Sequence, residues 1–321
     1  FPALVLNGIV YRDSDGDGSL DTHDDLPNNQ VASIDTDNDG YPDRWNVGCD
    51  DACISGSGLV LDQLPFNNAA WQDNDYDGLP ESWAESCDPD CRAASGLVLD
   101  TKPDDTDNDG LTNLQDDDDN GDGVIDADAD SDGLVEIHSL IQLSAIRYQL
   151  DGAGLRLTAD AELDQSGCPR IYAQGQMILK CSGYELSSDL DFDTNQDSLM
   201  DSNDSYWNAN EDGLGEGWLP INNENANFSA IFDGNGYAIH NLYINRPSTS
   251  NIGLFASIQH ADIRNLVLVG PLMSITGDSF VGSLAGVSYS SQISHISNAG
   301  SVQSGSYVTG GLVGGALSSQ I

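Results

Sequence analysis

Hydrophobic residues are distributed along this chain in four different ways. The first eleven residues, FPALVLNGIVY, form a compact apolar run, β-branched in part, that predicts a strand in need of a partner edge. From Asp13 to Gly133 apolar side chains stand singly among Asp, Asn, Gly, Ser and Pro, with no helical or strand period. LVEIHSLIQLSAIRYQLDG, from Leu134, places Ile137, Leu140, Ile141, Ser144, Tyr148 and Leu150 at helical spacing and stops at Gly152, which predicts one amphipathic helix capping the sheet that follows. Beyond Trp218, short apolar runs alternate with Gly, Ser and Asn. Ile252-Gly253 recurs as Val281-Gly282 after 29 residues, and SLAG from Ser283 recurs as GLVG from Gly311 after 28. Short strands at a fixed period, with small residues at the corners, predict a parallel β-helix or β-solenoid.

The expected fold is therefore mostly β: an irregular ion-stitched stalk joined to a β-solenoid with one capping helix. The expected divisions are an apolar strand at 1–12, acidic repeats at 13–133, a region at 134–213 holding the helix, a disulfide hairpin and a further acidic loop, and the solenoid at 214–321. The last repeat reaches Ile321 without a polar cap, so further repeats or a docked molecule are expected there.

Charge changes the picture of the second region. The chain carries 53 Asp+Glu against 10 Lys+Arg, a formal charge of −43 at pH 7, which argues against nucleic acid and anionic membrane surfaces as partners and points to cations. Six acidic runs begin at Asp13, Asp35, Asp73, Asp105, Asp118 and Asp128. Carboxylates two residues apart repel one another unless a positive charge lies between them. A disordered acidic tail has no need of Gly at the sixth place of each run.

Hard oxygen ligands at alternate positions suit calcium, whose loops use positions 1, 3, 5, 7 (by its carbonyl), 9 and 12 around a sharp turn at position 6. The first loop offers Asp13, Asp15, Asp17, the Ser19 carbonyl, Asp21 and Asp24. The second offers Asp35, Asp37, Asp39, the Tyr41 carbonyl and Asp43, with Asn46 at the twelfth place. The third offers Asp73, Asp75, Asp77, the Leu79 carbonyl and Glu81, with Ala84 at the twelfth. Asp105, Asp107, Asp109, the Leu111 carbonyl, Asn113 and Asp116 complete the fourth. Asp118, Asn120, Asp122, the Val124 carbonyl and Asp126 make a fifth, and Asp128, Asp130, Asp132, the Leu134 carbonyl and Glu136 a sixth, close enough to share Asp128 or Asp130. A seventh uses Asp193, Asn195, Asp197, the Leu199 carbonyl, Asp201 and Asp204, with Ser198 where Gly is usual. About six to eight calcium ions are expected on this count.

The two loops without a closing acid lie in a gapless 38-residue repeat that matches Trp45 to Trp83, Cys49 to Cys87, Asp50 to Asp88, Cys53 to Cys91 and Asp62 to Asp100. Asp50 and Asp88, or Asp62 and Asp100, are candidates to complete their shells, with Glu85 a further candidate and water the alternative. Trp45 and Trp83 are expected to pack on the SGLVLD segments rather than to stack on a ligand. Six cysteines in three close pairs, Cys49/Cys53, Cys87/Cys91 and Cys168/Cys181, suggest disulfides and an oxidising compartment, with zinc the competing reading for the first two.

DxDxDGxxDxxD over Asp13–Asp24, and DxDxDGxPDxW over Asp35–Trp45, resemble thrombospondin type 3 repeats in their bacterial form. That resemblance covers about 13–136 and implies calcium-dependent folding into a rigid stalk; cysteines linking successive repeats are missing here. GGLVG, with GWLPI and AIFDGNGYAIHNL before it, resembles the GLUG repeats of bacterial surface proteins over roughly 134–321.

The functional expectation is a secreted or cell-surface calcium-binding structural or adhesion protein, without catalysis. Its expected partners are calcium, a surface glycan or protein receptor, and its own copies end to end; no membrane insertion is expected. A fibre subunit is the first alternative and a polysaccharide-acting β-helix enzyme the second. The latter needs converging carboxylates and basic residues, whereas the solenoid holds only Arg246 and Arg264 with Glu216, Glu224, Asp233, Asp262 and Asp278. Asp233, in DGNG, is expected to be a turn residue.

Overall fold

A computed structural model describes residues 4–6, 9–116, 118–121, 125–173, 176–207, 215–222 and 226–321. The chain divides into two compact units, Phe1–Val124 with Arg170–Ile178, and Ile125–Pro169 with Leu179–Ile321.

In the first unit the apolar N-terminal stretch pairs with itself. Strand β1 (Leu4–Leu6) lies antiparallel to β2 (Ile9–Tyr11), with Leu4 opposite Tyr11, instead of forming one strand that seeks another edge. Each copy of the 38-residue repeat holds one short helix, α1 (Asp51–Ser57) and α2 (Pro89–Ser95). Both begin at an Asp whose carboxylate accepts from backbone N–H groups: Asp50 from Cys53 (2.9 Å), and Asp88 from Asp90 (3.0 Å) and Cys91 (2.9 Å). Both end at a left-handed glycine, Gly58 and Gly96, each with φ 74°. Disulfides Cys49–Cys53 and Cys87–Cys91 clamp the two helix entrances. Ala69, Ala84 and Cys87 form a small buried cluster against which Trp71, Trp83, Cys91 and Leu97 pack. Trp83 is thus an apolar anchor for its repeat, and Trp71 stacks on Tyr41 at 4.3 Å.

The second unit is built of parallel strands, and its first segment departs from the expected single helix. Leu134–Ile137 is strand β3, and only Leu140–Ala145 (α3) is α-helical, followed by a 3-10 turn at Ile146–Tyr148. Parallel pairing of β3 with β6 (Gly183–Leu186) overrides the helical spacing, since Val135 and Ile137 turn inward at strand period. Leu143, Ala145 and Ile146 make the buried face, leaving Ile141 and Tyr148 64% and 41% exposed. Between β3 and β6 in sequence, the Cys168–Cys181 disulfide brackets the chain that forms a two-stranded sheet of β4 (Arg170–Ala173) and β5 (Gln176–Leu179), of which Arg170–Ile178 groups with the first unit.

The remaining strands are β7 (Leu190–Asp191), β8 (Ile231–Asp233), β9 (Ala238–His240), β10 (Tyr243–Asn245), β11 (Phe255–Gln259), β12 (Asp262–Arg264), β13 (Val267–Val269), β14 (Ser274–Gly277), β15 (Ala285–Tyr289), β16 (Gln292–Ser294), β17 (Ser297–Asn298), β18 (Ser301–Ser304) and β19 (Val313–Leu317). They form four sheets, ordered β16-β12-β8-β6-β3, β17-β13-β9-β7, β10-β14-β18 and β11-β15-β19. Every strand pair for which a register is defined in these sheets is parallel.

Register exposes the repeat. Ile231 pairs with Asp262 and Asp262 with Gln292, steps of 31 and 30 residues; Ala285 pairs with Val313, a step of 28. Leu134 pairs with Gly183 and Gly183 with Ile231, steps of 49 and 48, because the disulfide hairpin and the Asp193 loop are inserted there. Val135, Tyr184, Phe232, Ile263 and Ile293 consequently stack into one inward ladder, and Ile244 and Ile275 into another. Glu136, Glu185, Asp233 and Arg264 form the matching ladder on the opposite face of the first sheet.

Phe232 is fully buried between Tyr184 and Ile263, so Phe232→Ala removes a side chain that its neighbours cannot replace. A loss of about 3–5 kcal/mol of stability is expected for this unit, read from denaturant unfolding. Tyr307→Ser, on a side chain 82% exposed, serves as the reference and should stay within about 0.5 kcal/mol.

Candidate metal centres

The acidic loops repeat one backbone solution. In each of six loops two residues adopt positive φ: the fourth (Gly16, Asn38, Tyr76, Asn108, Ser131, Gln196) and the sixth (Gly18, Gly40, Gly78, Gly110, Gly133, Ser198). Ser198 takes this conformation at φ 66° where the others have glycine. The left-handed fourth position has no mark in the sequence, since Tyr76 and Gln196 are unusual choices there.

Hydrogen bonds within the loops are equally regular. The first carboxylate accepts from the sixth N–H: Gly40 to Asp35 (2.9 Å), Gly78 to Asp73 (2.9 Å), Gly110 to Asp105 (3.0 Å), Gly133 to Asp128 (2.8 Å) and Ser198 to Asp193 (3.0 Å). The fifth accepts from the seventh, as Asp17 from Ser19, Asp39 from Tyr41 and Asp132 from Leu134. The ninth reaches back to the second N–H: Asp21 to Ser14, Asp43 to Thr36, Glu81 to Asn74, Asn113 to Thr106 and Glu136 to Ala129. In the Asp193 loop the twelfth residue, Asp204, takes this role by accepting from Thr194 N–H at 2.8 Å. In four of the loops the carboxylates are gathered at one place. Ligand-type oxygens of Asp13/Asp15/Asp17, Asp35/Asp37/Asp39, Asp73/Asp75/Asp77 and Asp105/Asp107/Asp109 lie within 4.8 Å of one another.

Of the acids the sequence left open, Asp62 and Asp100 are the ones that lie beside the acidic loops of the two repeat copies. Their backbone N–H groups donate to Pro42 and Pro80 O, both at 2.9 Å, which fixes them beside their loops. Asp62 feels Asp39, Asp37 and Asp43, and Asp100 acts on Asp75. Asp50 and Asp88 cap the two short helices, and the charge of Glu85 acts on Tyr41. In the first loop Asp24, buried at the twelfth position, feels Asp17 and Asp15. Asp116 carries the same kind of turn as Asp24 and Asp62, accepting from the N–H two residues on (3.0 Å). In the fifth loop Asp122 and Val124 lie outside the described residues.

Eight buried carboxylate oxygens in these loops have no hydrogen-bond partner among the described residues: Oδ2 of Asp15, Asp37, Asp39, Asp62 and Asp100, Oδ1 of Asp73 and Asp105, and Oε2 of Glu81. A buried anionic oxygen without a donor carries a large desolvation cost, and a hard divalent cation is the group that three such oxygens at alternate positions fit. Burial, with neighbouring carboxylates adding to it, pushes Asp39 and Asp73 up to about 6 and Asp62 to about 8. Asp128, fully buried beside the Cys168–Cys181 disulfide, rises to about 8, and Glu136 to about 7. The disulfide removes those two sulfurs as thiolate ligands. The Asp105 loop contains a cation of its own, with Lys102 Nζ 3.0 Å from Asp105 Oδ2.

The two arginines weighed for catalysis are held in ion pairs, Arg246 with Glu216 (2.7 Å) and Arg264 with Asp233 (2.6 Å) and Asp262 (2.8 Å). Asp233 also accepts from Asn235 N–H at 2.8 Å, as its turn position predicts. Glu224 lies outside the described residues. Among the described residues no helix is long and apolar enough to cross a membrane.

No protein-family model and no solved structure matches the chain. Two curated proteins are similar over short segments. A protein of Evansella cellulosilytica described as a Gly-rich membrane protein is 39% identical over 77 residues, 23% of this chain and 9% of that protein. Halomucin of Haloquadratum walsbyi is 34% identical over 104 residues, 32% of this chain and 1% of that protein. The chain therefore matches only a small fraction of either relative's length.

A carboxyl whose pKa is raised on folding binds its proton more tightly in the folded chain, so its contribution is fully present below the unfolded value and is lost as pH rises through the folded one. In chelator, stability should fall from pH 4 towards pH 8, and Asp62→Asn should flatten that slope. Asp50→Asn, which keeps a competent helix cap, should leave it in place. Denaturant midpoints at pH 5 and pH 8 check both.

Proposed function

We propose that this chain is an extracellular calcium-binding structural or adhesion protein, in which calcium stiffens a stalk of acidic loops joined to a β-solenoid. The observation that carries this reading is the set of eight buried, donor-less carboxylate oxygens gathered by loops of one repeated geometry. Their alternate spacing supports calcium over softer metals, and supports kinship with thrombospondin type 3 repeats in their bacterial form. Parallel strands stepping by about thirty residues support the solenoid and its likeness to GLUG repeats. Three disulfides fit an oxidising compartment, and one similar segment belongs to a protein described as a membrane protein. The role is mechanical: bound calcium replaces repulsion between carboxylates with shared coordination, so that binding free energy becomes folding free energy.

Calcium titration of the full chain, counted by equilibrium dialysis, should give about six to eight ions, with magnesium displaced because its octahedral shell tolerates these flexible loops poorly. Binding of no more than one ion, or equal preference for magnesium, would contradict the reading. Asp37→Asn and Asp75→Asn should each weaken one site without changing the others.

A further inference from the structure

The Asp128 loop lacks a closing acid. Its twelfth position is Ser139, which is committed to α3 by accepting from Gln142 N–H at 3.3 Å. In three other loops the twelfth position is an acid, Asp24, Asp116 and Asp204, and Asp62 and Asp100 lie beside two more.

Glu185, which no loop arithmetic selects, stands where such an acid is needed. Register places it on β6 between Glu136 of β3 and Asp233 of β8, and adjacent strands lie about 4.8 Å apart with side chains on a shared face. It is only 7% exposed, and its side chain has no hydrogen bond or ion pair among the described residues. Its neighbours are engaged elsewhere. Glu136 accepts from Ala129 N–H (2.8 Å), and Asp233 is held by Arg264, Asn265 and Asn235. Arg264, the cation of this ladder, is taken by Asp233 and Asp262. Glu136, its register partner, is the ninth residue of the Asp128 loop and accepts from the loop's second N–H, so the buried Glu185 carboxylate stands beside that loop. A side chain this buried, surrounded by anions and without a donor, calls for a cation.

We propose that the divalent cation of the Asp128 loop takes its closing carboxylate from Glu185, on a different strand. One ion would then tie the loop to β6 as well as to β3, with Asp128, Asp130, Asp132 and Glu136 as its other carboxylates. This rests on the calcium reading of the loops.

The test is calcium competition against a chromophoric chelator, with thermal unfolding in parallel, on the full chain carrying Glu185→Gln or, as reference, Glu162→Gln at an exposed acid. Wild type and Glu162→Gln should bind alike, whereas Glu185→Gln should weaken one site by about tenfold or more and leave the rest. In chelator Glu185→Gln should melt above wild type, since a buried unpaired charge is gone, and in saturating calcium the order should reverse. Unchanged affinity at every site, or a higher melting temperature in both conditions, overturns the proposal while leaving the calcium reading intact. Failure of the wild type to bind calcium at all overturns that reading and this proposal with it. Should Glu185→Gln not fold, calcium-loaded wild-type crystals decide: a Glu185 oxygen about 2.3–2.6 Å from the ion supports the assignment, and an ion in the Asp128 loop without that contact overturns it.

Discussion

Repulsion between carboxylates held close together in a poorly solvated space is the constraint on which the first unit depends. Two like charges 4 Å apart cost roughly 1 kcal/mol in water and about 4 kcal/mol at a protein surface, and each of four loops gathers three acids within 4.8 Å of one another. Regular hydrogen bonds from loop N–H groups take one oxygen of most of these acids and leave the other turned inward. This unit has little apolar core to set against the repulsion; beyond the cluster around Ala69, Ala84 and Cys87, its stabilising features are caps, stacked rings and two disulfides. A small core seldom stabilises a domain without metals or cross-links.

The second unit inverts that balance. Inward ladders of Val, Tyr, Phe and Ile run from strand to strand in register, and each step of about thirty residues adds a layer to one continuous core. Among its described residues, acids gather in the Asp128 and Asp193 loops and in the Glu136–Glu185–Asp233 ladder.

Much of this was legible in the residues. The 28–29-residue spacing of Ile252-Gly253, Val281-Gly282 and the SLAG/GLVG pair reappears in the Ile252–Val281 bridge and the pairing of Ala285 with Val313, and the three cysteine pairs are the three disulfides. Alternation of acids located the loop clusters. The strand at Leu134–Ile137 was hidden, because its apolar residues also fit a helical period and only pairing with a strand about fifty residues away decides between the two. That Asp62 lies beside the Asp35 loop while Asp50 caps helix α1 could not be read from the sequence, since both follow from backbone contacts, that of Asp62 to Pro42 and that of Asp50 to Cys53. Glu185 carries no motif at all; its place follows from cross-strand register alone.

The central claim is that the acidic loops fold around calcium. Thermal unfolding of the full chain, followed by near-ultraviolet circular dichroism of Tyr41, Trp71 and Trp83, tests it most directly when run in calcium and again in excess chelator. The account predicts that chelation abolishes the aromatic signal of the first unit or lowers its transition by tens of degrees, while the transition of the parallel-stranded unit shifts far less. An aromatic signal and a transition temperature unchanged by chelation would contradict it.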